Sequence, residues 1–194
     1  MEILDEPQLN VDRNSVLYAG FWPRLGALFL DGLILTPLTF GVMYFNITSW
    51  KSVPVLVIVT VLSLSYKPFM EYNYGATLGK MALRLKVVNL QFEKADLQEI
   101  LLRNIFHIVP PLITLFITIG IYSSEEFQDI TGFREFSTYS NQHTSLQIIN
   151  VVSGIITLVD MIVMLSDSRK RSLHDKIGGT YVIERRYGDR INAV

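Results

Sequence analysis

The residues with the clearest chemical potential are charged side chains placed inside or beside long apolar runs. Arg24 precedes the apolar run 25–45, and Asp31 stands inside it. A charge in the bilayer core costs at least about 2.5–3.5 kcal/mol, so we expect both side chains to avoid lipid and to have partners. Seven residues separate their backbones by about 10.5 Å along a helix, which is too far for a direct ion pair. The alternatives are an Arg24 that reaches lipid phosphate and an Asp31 that is only a buried hydrogen-bond acceptor.

Polar residues also recur at helical spacing in two later apolar runs. Thr157 and Asp160 lie on one stripe of the run 146–165, and His107 lies on one face of the run 105–122. A desolvated carboxylate can exchange protons near neutral pH, and a carboxylate beside hydroxyl and carbonyl oxygens suits a hard cation. The run 53–70 adds Thr60, Ser63 and Lys67 at the same spacing. Polar stripes on all four runs predict a shared polar interior, although membrane helices also use hydroxyls simply to hold one another.

The other candidate residues lie outside the apolar runs. They are Glu71 and Lys80, between the second and third runs, and His174 and Asp175, after the last run. The glycines before Lys80 resemble a phosphate-binding loop, but their spacing is wrong and no strand precedes them, which argues against nucleotide binding. We predict a short helix at 77–83 and strands at 84–90 and 180–184. Neither strand is stable alone, so we expect them to pair.

Composition narrows the class of protein. The chain has 194 residues, 49% of them hydrophobic, a net charge of −1 and no cysteine, and its mean hydropathy is +0.32. This favours a membrane protein and argues against nucleic-acid partners, disulfides and thiolate metal sites. Nothing brings the histidines together as metal ligands, and the motifs of hydrolases, nucleotide-dependent enzymes and intramembrane aspartyl proteases are absent. We therefore predict no enzymatic activity, no cofactor and no metal.

The apolar runs predict four transmembrane helices at about 23–45, 53–70, 105–122 and 146–165. Fifteen of the 17 lysines and arginines fall on one side of this arrangement. The positive-inside rule then places the tail 1–17, the loop 71–104 and the segment 166–194 in the cytosol, and the polar loop 123–145 outside the cell membrane. The predicted fold is an all-α membrane protein with a small cytoplasmic cap of short helices and a two-stranded β-ribbon.

Three stretches resemble the RDD family of small bacterial and archaeal membrane proteins, which is named for one arginine and two aspartates. Residues 18–31 match its first signature, residues 75–80 read Gly-Ala-Thr-Leu-Gly-Lys as in its loop, and residues 171–180 match its second signature. The resemblance implies a single domain over residues 18–194. It identifies Arg24, Asp31 and Asp175 as the naming residues, with Asp160 as a weaker candidate for the second aspartate.

The intramembrane carboxylates favour a transporter of small cations or protons, with cation/proton exchange as one form. Four helices are few for a complete carrier, so we expect a homo-oligomer surrounded by membrane lipids. The alternatives are a non-transporting scaffold that binds lipid or a membrane protein, and a channel-like assembly. A water-accessible path to Asp31 would favour transport, whereas a dry and fully paired charge cluster would favour the scaffold. We also predict a contact between Arg24 and Asp175, with Glu71 as the second-choice partner of Arg24.

Overall fold

Four long apolar helices dominate the fold in the computed structural model, which describes residues 16–184 of the chain. They are α1 (Phe21–Phe45), α2 (Val53–Tyr74), α5 (Ile105–Tyr122) and α8 (Thr144–Ser166). All four are long and apolar enough to cross a bilayer. Their outward faces are covered with exposed apolar side chains, which are stable against lipid but not against water. The predicted all-α membrane architecture is confirmed.

The helix ends agree with the predictions to within two residues except at the end of α2. This helix was predicted to end near residue 70, but α2 passes through Pro68, continues to Tyr74 and stops at Gly75, whose φ of +69° is left-handed. A proline removes only one backbone hydrogen bond, and a membrane helix tolerates that loss. Glu71 therefore lies in the last turn of α2, and its assignment to the loop 71–104 was wrong.

The four helices form a closed ring. Helix α1 packs against α2 and α8, and α5 packs between α2 and α8 on the other side. After Phe45, α1 continues into one π-helical turn, Asn46–Trp50, before Lys51 reverses the chain with a φ of +49°. The ring leaves the charged connecting segments at its two ends.

One end of the ring carries a compact unit that we call the cap. Its helices are α3 (Leu78–Ala82), α4 (Leu97–Arg103) and α9 (Leu173–Ile177), and its strands are β1 (Leu85–Asn89) and β2 (Thr180–Glu184). The two strands pair antiparallel, with Val87 opposite Val182, so the predicted ribbon is confirmed. A small apolar core that includes Leu85, Val87 and Ile100 holds the cap together, and Ala27 of α1 belongs to this core.

The residues just before α1 also belong to the cap. Tyr18 forms a β-bridge to Ile183, and the Ala19 N–H donates to the Val182 carbonyl at 2.9 Å. The predicted tail 1–17 therefore ends one residue too late, because the Leu17 carbonyl already accepts a hydrogen bond from the cap. Residues 1–15 of that tail and residues 185–194 of the C-terminal segment lie outside the described residues.

The opposite end of the ring is not the simple polar loop that was predicted for 123–145. It contains the helices α6 (Glu125–Gln128) and α7 (Phe133–Ser140). Phe127 is fully buried and stacks on Tyr122 with ring centroids 4.2 Å apart. Phe127 and Ile130 are isolated apolar residues in an otherwise polar stretch. They pack with Tyr122 and Ile47 in one buried cluster, which holds the segment 123–145 against the bundle.

The orientation of the protein in the membrane is testable with two matched serines. Ser137 in α7 and Ser168 after α8 are both exposed, lie at opposite ends of the ring, and the chain has no native cysteine. In intact cells a membrane-impermeant maleimide should label Ser137→Cys and spare Ser168→Cys until the cells are permeabilised, because the cap end carries most of the positive charge. The reverse labelling pattern would refute the predicted topology.

Candidate functional site

A continuous chain of ion pairs fills the junction between the cap and the four-helix ring. Arg24 contacts Asp175 at 2.5 Å, Asp175 pairs with Arg103, Arg103 lies 3.3 Å from Glu71, and Glu71 pairs with Lys80. We call these five residues the charge chain. The side chains of Asp175 and Glu71 are completely buried, so each carboxylate depends on its cations for the solvation that water would otherwise give. The predicted contact between Arg24 and Asp175 is confirmed.

Arg24 joins three separate segments through one guanidinium group. Besides its contact with Asp175, its Nε donates to the Ala19 carbonyl at 3.0 Å, and its Nη2 donates to the Lys170 carbonyl at 2.7 Å. A planar guanidinium with several fixed donors suits such divergent contacts, which a lysine could not reproduce. Arg24 therefore ties the first turn of α1 to the segment before it, to the turn after α8 and to α9.

The position of Asp175 follows from a local sequence signal. Ser172 and Asp175 form a capping box at the start of α9, in which each side chain accepts a backbone N–H of the other residue. Gly178 ends α9, and a Cβ at this position would lie 2.6 Å from the Cβ of Arg103. The glycine thus allows α9 to approach α4 closely enough for Arg103 to reach Asp175.

Glu71 is the second centre of the charge chain. Its carboxylate accepts from Lys80, from the Arg103 Nε and from the Asn104 Nδ2 at 2.9 Å. It was the second-choice partner of Arg24, but it pairs with Lys80 and Arg103 instead. Neither Arg103 nor Asn104 was among the residues predicted from the sequence. The signal was available, because Arg103 stands alone in an apolar stretch at the end of α4, directly before a membrane span.

Lys80 is the most labile member of the charge chain. The pKa of Lys80 is lowered to about 7, chiefly by burial and also by the neighbouring Arg103, although Glu71 opposes this shift. The ammonium group is directed at Glu71 rather than into an open loop, so the similarity to a phosphate-binding loop has no structural counterpart. As the pH rises, Lys80 is therefore the first cation in the charge chain to lose its charge.

Asp31 docks the cap helix α3 onto α1. Its carboxylate accepts the Tyr66 hydroxyl at 2.8 Å, the Thr77 hydroxyl at 2.6 Å and the Gly79 N–H at 2.7 Å. The Tyr66 hydroxyl in turn accepts the Leu78 N–H at 3.0 Å. Asp31 therefore has three donors and no cation, and it anchors the first turn of α3, whose unpaired N–H groups favour a negative charge.

Asp160, predicted as a charge deep in the bundle, is also bound by the cap. Its Oδ1 accepts the backbone N–H of His174 at 2.9 Å and contacts the Nδ1 of the same residue at 2.7 Å. Burial lowers the pKa of His174 below its ordinary value, so at neutral pH the uncharged ring donates its Nδ1 proton to Asp160. Both predicted intramembrane aspartates thus turn away from lipid, as expected, but toward the cap.

The predicted shared polar interior does not form in the part of the chain that the structure describes. Thr157 is exposed and donates to the Ser153 carbonyl of its own helix at 2.9 Å, and Thr60 and Thr118 bond carbonyls four residues earlier in the same way. Such back-bonding satisfies a hydroxyl without a partner helix.

His107 lies away from the charge chain's contacts, and its buried Nε2 has no hydrogen-bond partner. Within residues 16–184, no cluster of histidine, aspartate and glutamate could hold a metal ion.

The close packing of α3 on α1 requires Gly79. A Cβ at this position would lie 2.0 Å from the Ala27 carbonyl oxygen, and backbone atoms yield little to such a clash. We expect Gly79→Ala to lower the free energy of unfolding in detergent by at least the roughly 1–3 kcal/mol typical of overpacking. Gly120→Ala is the matched control, since its Cβ would meet open space. Equal stability of the two variants would contradict the docking of α3.

The charge chain should show strong coupling between Arg24 and Asp175. Asp175→Asn leaves the buried Arg24 without an anion and Arg103 with Glu71 alone, so we expect a loss of about 3–5 kcal/mol in the free energy of unfolding. Arg24→Gln should also destabilise, and the double variant should lose less than the sum, because the two residues share one contact. Lys176→Gln is the control: its pair with Asp167 is partly exposed and should contribute no more than about 1 kcal/mol. Additive losses in the double variant would count against the coupling.

The residues of the charge chain lie within a stretch that matches a known protein family. The family model of the RDD family matches residues 18–179, a range that contains every member of the charge chain together with Asp31 and Asp160. No curated protein and no solved structure matches the chain significantly. The family match covers most of the chain, and the chain therefore belongs to the RDD family.

Proposed function

We propose that this protein is a scaffold of the cell membrane that holds a rigid cap at the cytosolic surface and binds phospholipid, and that it transports nothing. One observation supports this proposal. Each of the four carboxylates at the junction, on Asp31, Glu71, Asp160 and Asp175, accepts two or three hydrogen bonds within the cap and its supporting helices. None is left to bind and release a cargo ion.

The energetics of the junction support the same conclusion. A carboxylate that carries a cation or proton through a membrane must exchange it with water at low cost. Removing one partner of a buried ion pair costs about 3–5 kcal/mol, and Asp175 would have to leave two arginines. Such a network stabilises one arrangement of the cap and opposes the alternation between two states that transport requires.

The surface of the cap suits contact with lipid. Leu97, Leu101 and Leu102 of α4 are 52%, 46% and 38% exposed, and Arg169, Lys170 and Arg171 begin three residues after the last residue of α8. Exposed leucines on the cap and basic residues just past the end of a membrane helix each favour a position in the interface of an anionic leaflet. The cap is therefore built to lie on the membrane rather than to project from it.

Transport of a proton or small cation, in a homo-oligomer, is the second candidate function. It is favoured by His107 and Lys67 in the interior of the ring, since the His107 Nε2 is buried without a partner and the Lys67 ammonium lies near Glu71 without a hydrogen bond. A path through these two groups would bypass the paired carboxylates. We rank it second because both groups are bases and no carboxylate oxygen is open beside them to bind a metal cation.

Ion flux in proteoliposomes separates the two functions. We expect wild type and Asp31→Asn to conduct protons, sodium and potassium no faster than empty vesicles, while Asp31→Asn melts at a lower temperature because the Gly79 and Thr77 donors lose an anionic acceptor. Asp129→Asn, at an exposed position at the other end of the ring, should match wild type in both assays. A flux of wild type that Asp31→Asn or His107→Gln abolishes in folded protein would establish transport instead.

A further inference from the structure

An apolar groove opens on the outer surface of the ring, between α2, α4 and α5. Its volume is about 410 Å³, which falls in the range of roughly 300–1,000 Å³ for sites of small ligands. Val61 and Leu112 line one end, Phe69 and Pro68 line the middle, and Tyr72 lines the other end with Leu101 of the cap. Because its walls are two membrane-spanning helices, the groove faces the bilayer and not water.

The length of the groove matches one leaflet. Val61 and Tyr72 are eleven residues apart on α2, which corresponds to roughly 16 Å along the helix axis. Half of a hydrocarbon core of about 30 Å is about 15 Å. The groove therefore begins near the middle of the bilayer and ends where the headgroups lie, which is the extent of one lipid chain.

The cap end of the groove carries a positive charge. The Lys94 Nζ lies 4.7 Å from the centroid of the Tyr72 ring, so the ammonium group stands beside the aromatic side chain that ends the groove. Lys94 makes no ion pair within the described residues. The acidic residues that follow it, Asp96 and Glu99, are committed to the capping box of α4. The charge is thus open to an anion at headgroup level.

An apolar groove of this length with a positive charge at its cap end suits one kind of ligand. A partner's transmembrane helix would be apolar along its length and would run into α4, which closes the cap end with Leu97 and Leu101. A phospholipid instead offers one apolar chain with an anionic phosphate at its end, and a tyrosine and a lysine at the interface suit that transition. We propose that this groove binds one acyl chain of an anionic phospholipid, with its phosphate held by Lys94. This site rests on the proposed lipid-binding scaffold and gives it a location.

Binding of phosphatidylglycerol and phosphatidylcholine to the delipidated full chain, measured by native mass spectrometry, tests the site. Wild type should bind one phosphatidylglycerol more tightly than phosphatidylcholine by about fivefold, the contribution of one lysine at a membrane surface. Lys94→Gln, at an exposed position, should remove this preference. Arg84→Gln removes another exposed charge of the cap, outside the groove, and should leave the preference intact. An equal loss in both variants, or no preference in wild type, would overturn the assignment of Lys94.

The chain-binding part of the site is tested by filling the groove. Ser65 is exposed and lines it, so Ser65→Trp should weaken binding of both lipids by at least tenfold, and Ser65→Leu, a smaller change, should do so to a lesser degree while folding as wild type. If the folded Ser65→Trp variant binds both lipids with unchanged affinity, the groove is not the lipid-binding site. Lipid binding by wild type in that case would still support the scaffold proposal. A disulfide-linked dimer of Ser65→Cys would show that a second copy occupies the groove and would also overturn the site.

Discussion

The buried carboxylate of Asp175 imposes the constraint on which the rest of the structure depends. It is fully excluded from solvent, and an isolated ion in such a place would be prohibitively unstable. Arg24 and Arg103 supply the compensating charge from two different elements, and the Ser172 N–H adds a hydrogen bond at 3.1 Å. Each arginine then needs further acceptors, which are two backbone carbonyls for Arg24 and Glu71 for Arg103. The satisfaction of one group thus determines the positions of the others.

This chain of requirements explains why so small a cap is stable. The cap has a short apolar core and only two five-residue strands, which would not hold together alone. It gains its stability from being docked, through Asp31 on one side and the charge chain on the other. Buried ion pairs add little net stability compared with apolar packing, but they accept only one geometry. The junction therefore specifies the orientation of the cap more than it strengthens the fold.

Much of the architecture could be predicted from the sequence because its signals are local. The apolar runs define the four helices, the capping box defines α9, and the alternation after Arg84 defines β1. Arg24 and Asp175 could be paired because a charge next to a membrane span demands a partner at the same end. Arg103 carries the same signal of a charge beside a membrane span, but its partners could not be predicted, since its position depends on Gly178 and Glu71, which are distant in the sequence. The partners of Asp31 and Asp160 could not be predicted for the same reason, because they lie in cap segments that are distant in the sequence.

The placement of β2 between its two neighbours has a consequence for biogenesis. β2 pairs with β1 on one side and with residues 17–19 on the other, so the central strand of the cap is the last of the three in the order of synthesis. Until the ribosome has delivered it together with α9, Arg24 and Arg103 sit at the membrane surface without Asp175. A nascent chain stalled before residue 173 thus leaves Arg24 without its anion and Arg103 with Glu71 alone, and it exposes two open strand edges. The cap therefore closes only after the fourth membrane helix has been synthesised, and an interrupted chain differs from a finished one both in unpaired charge and in exposed strand edges.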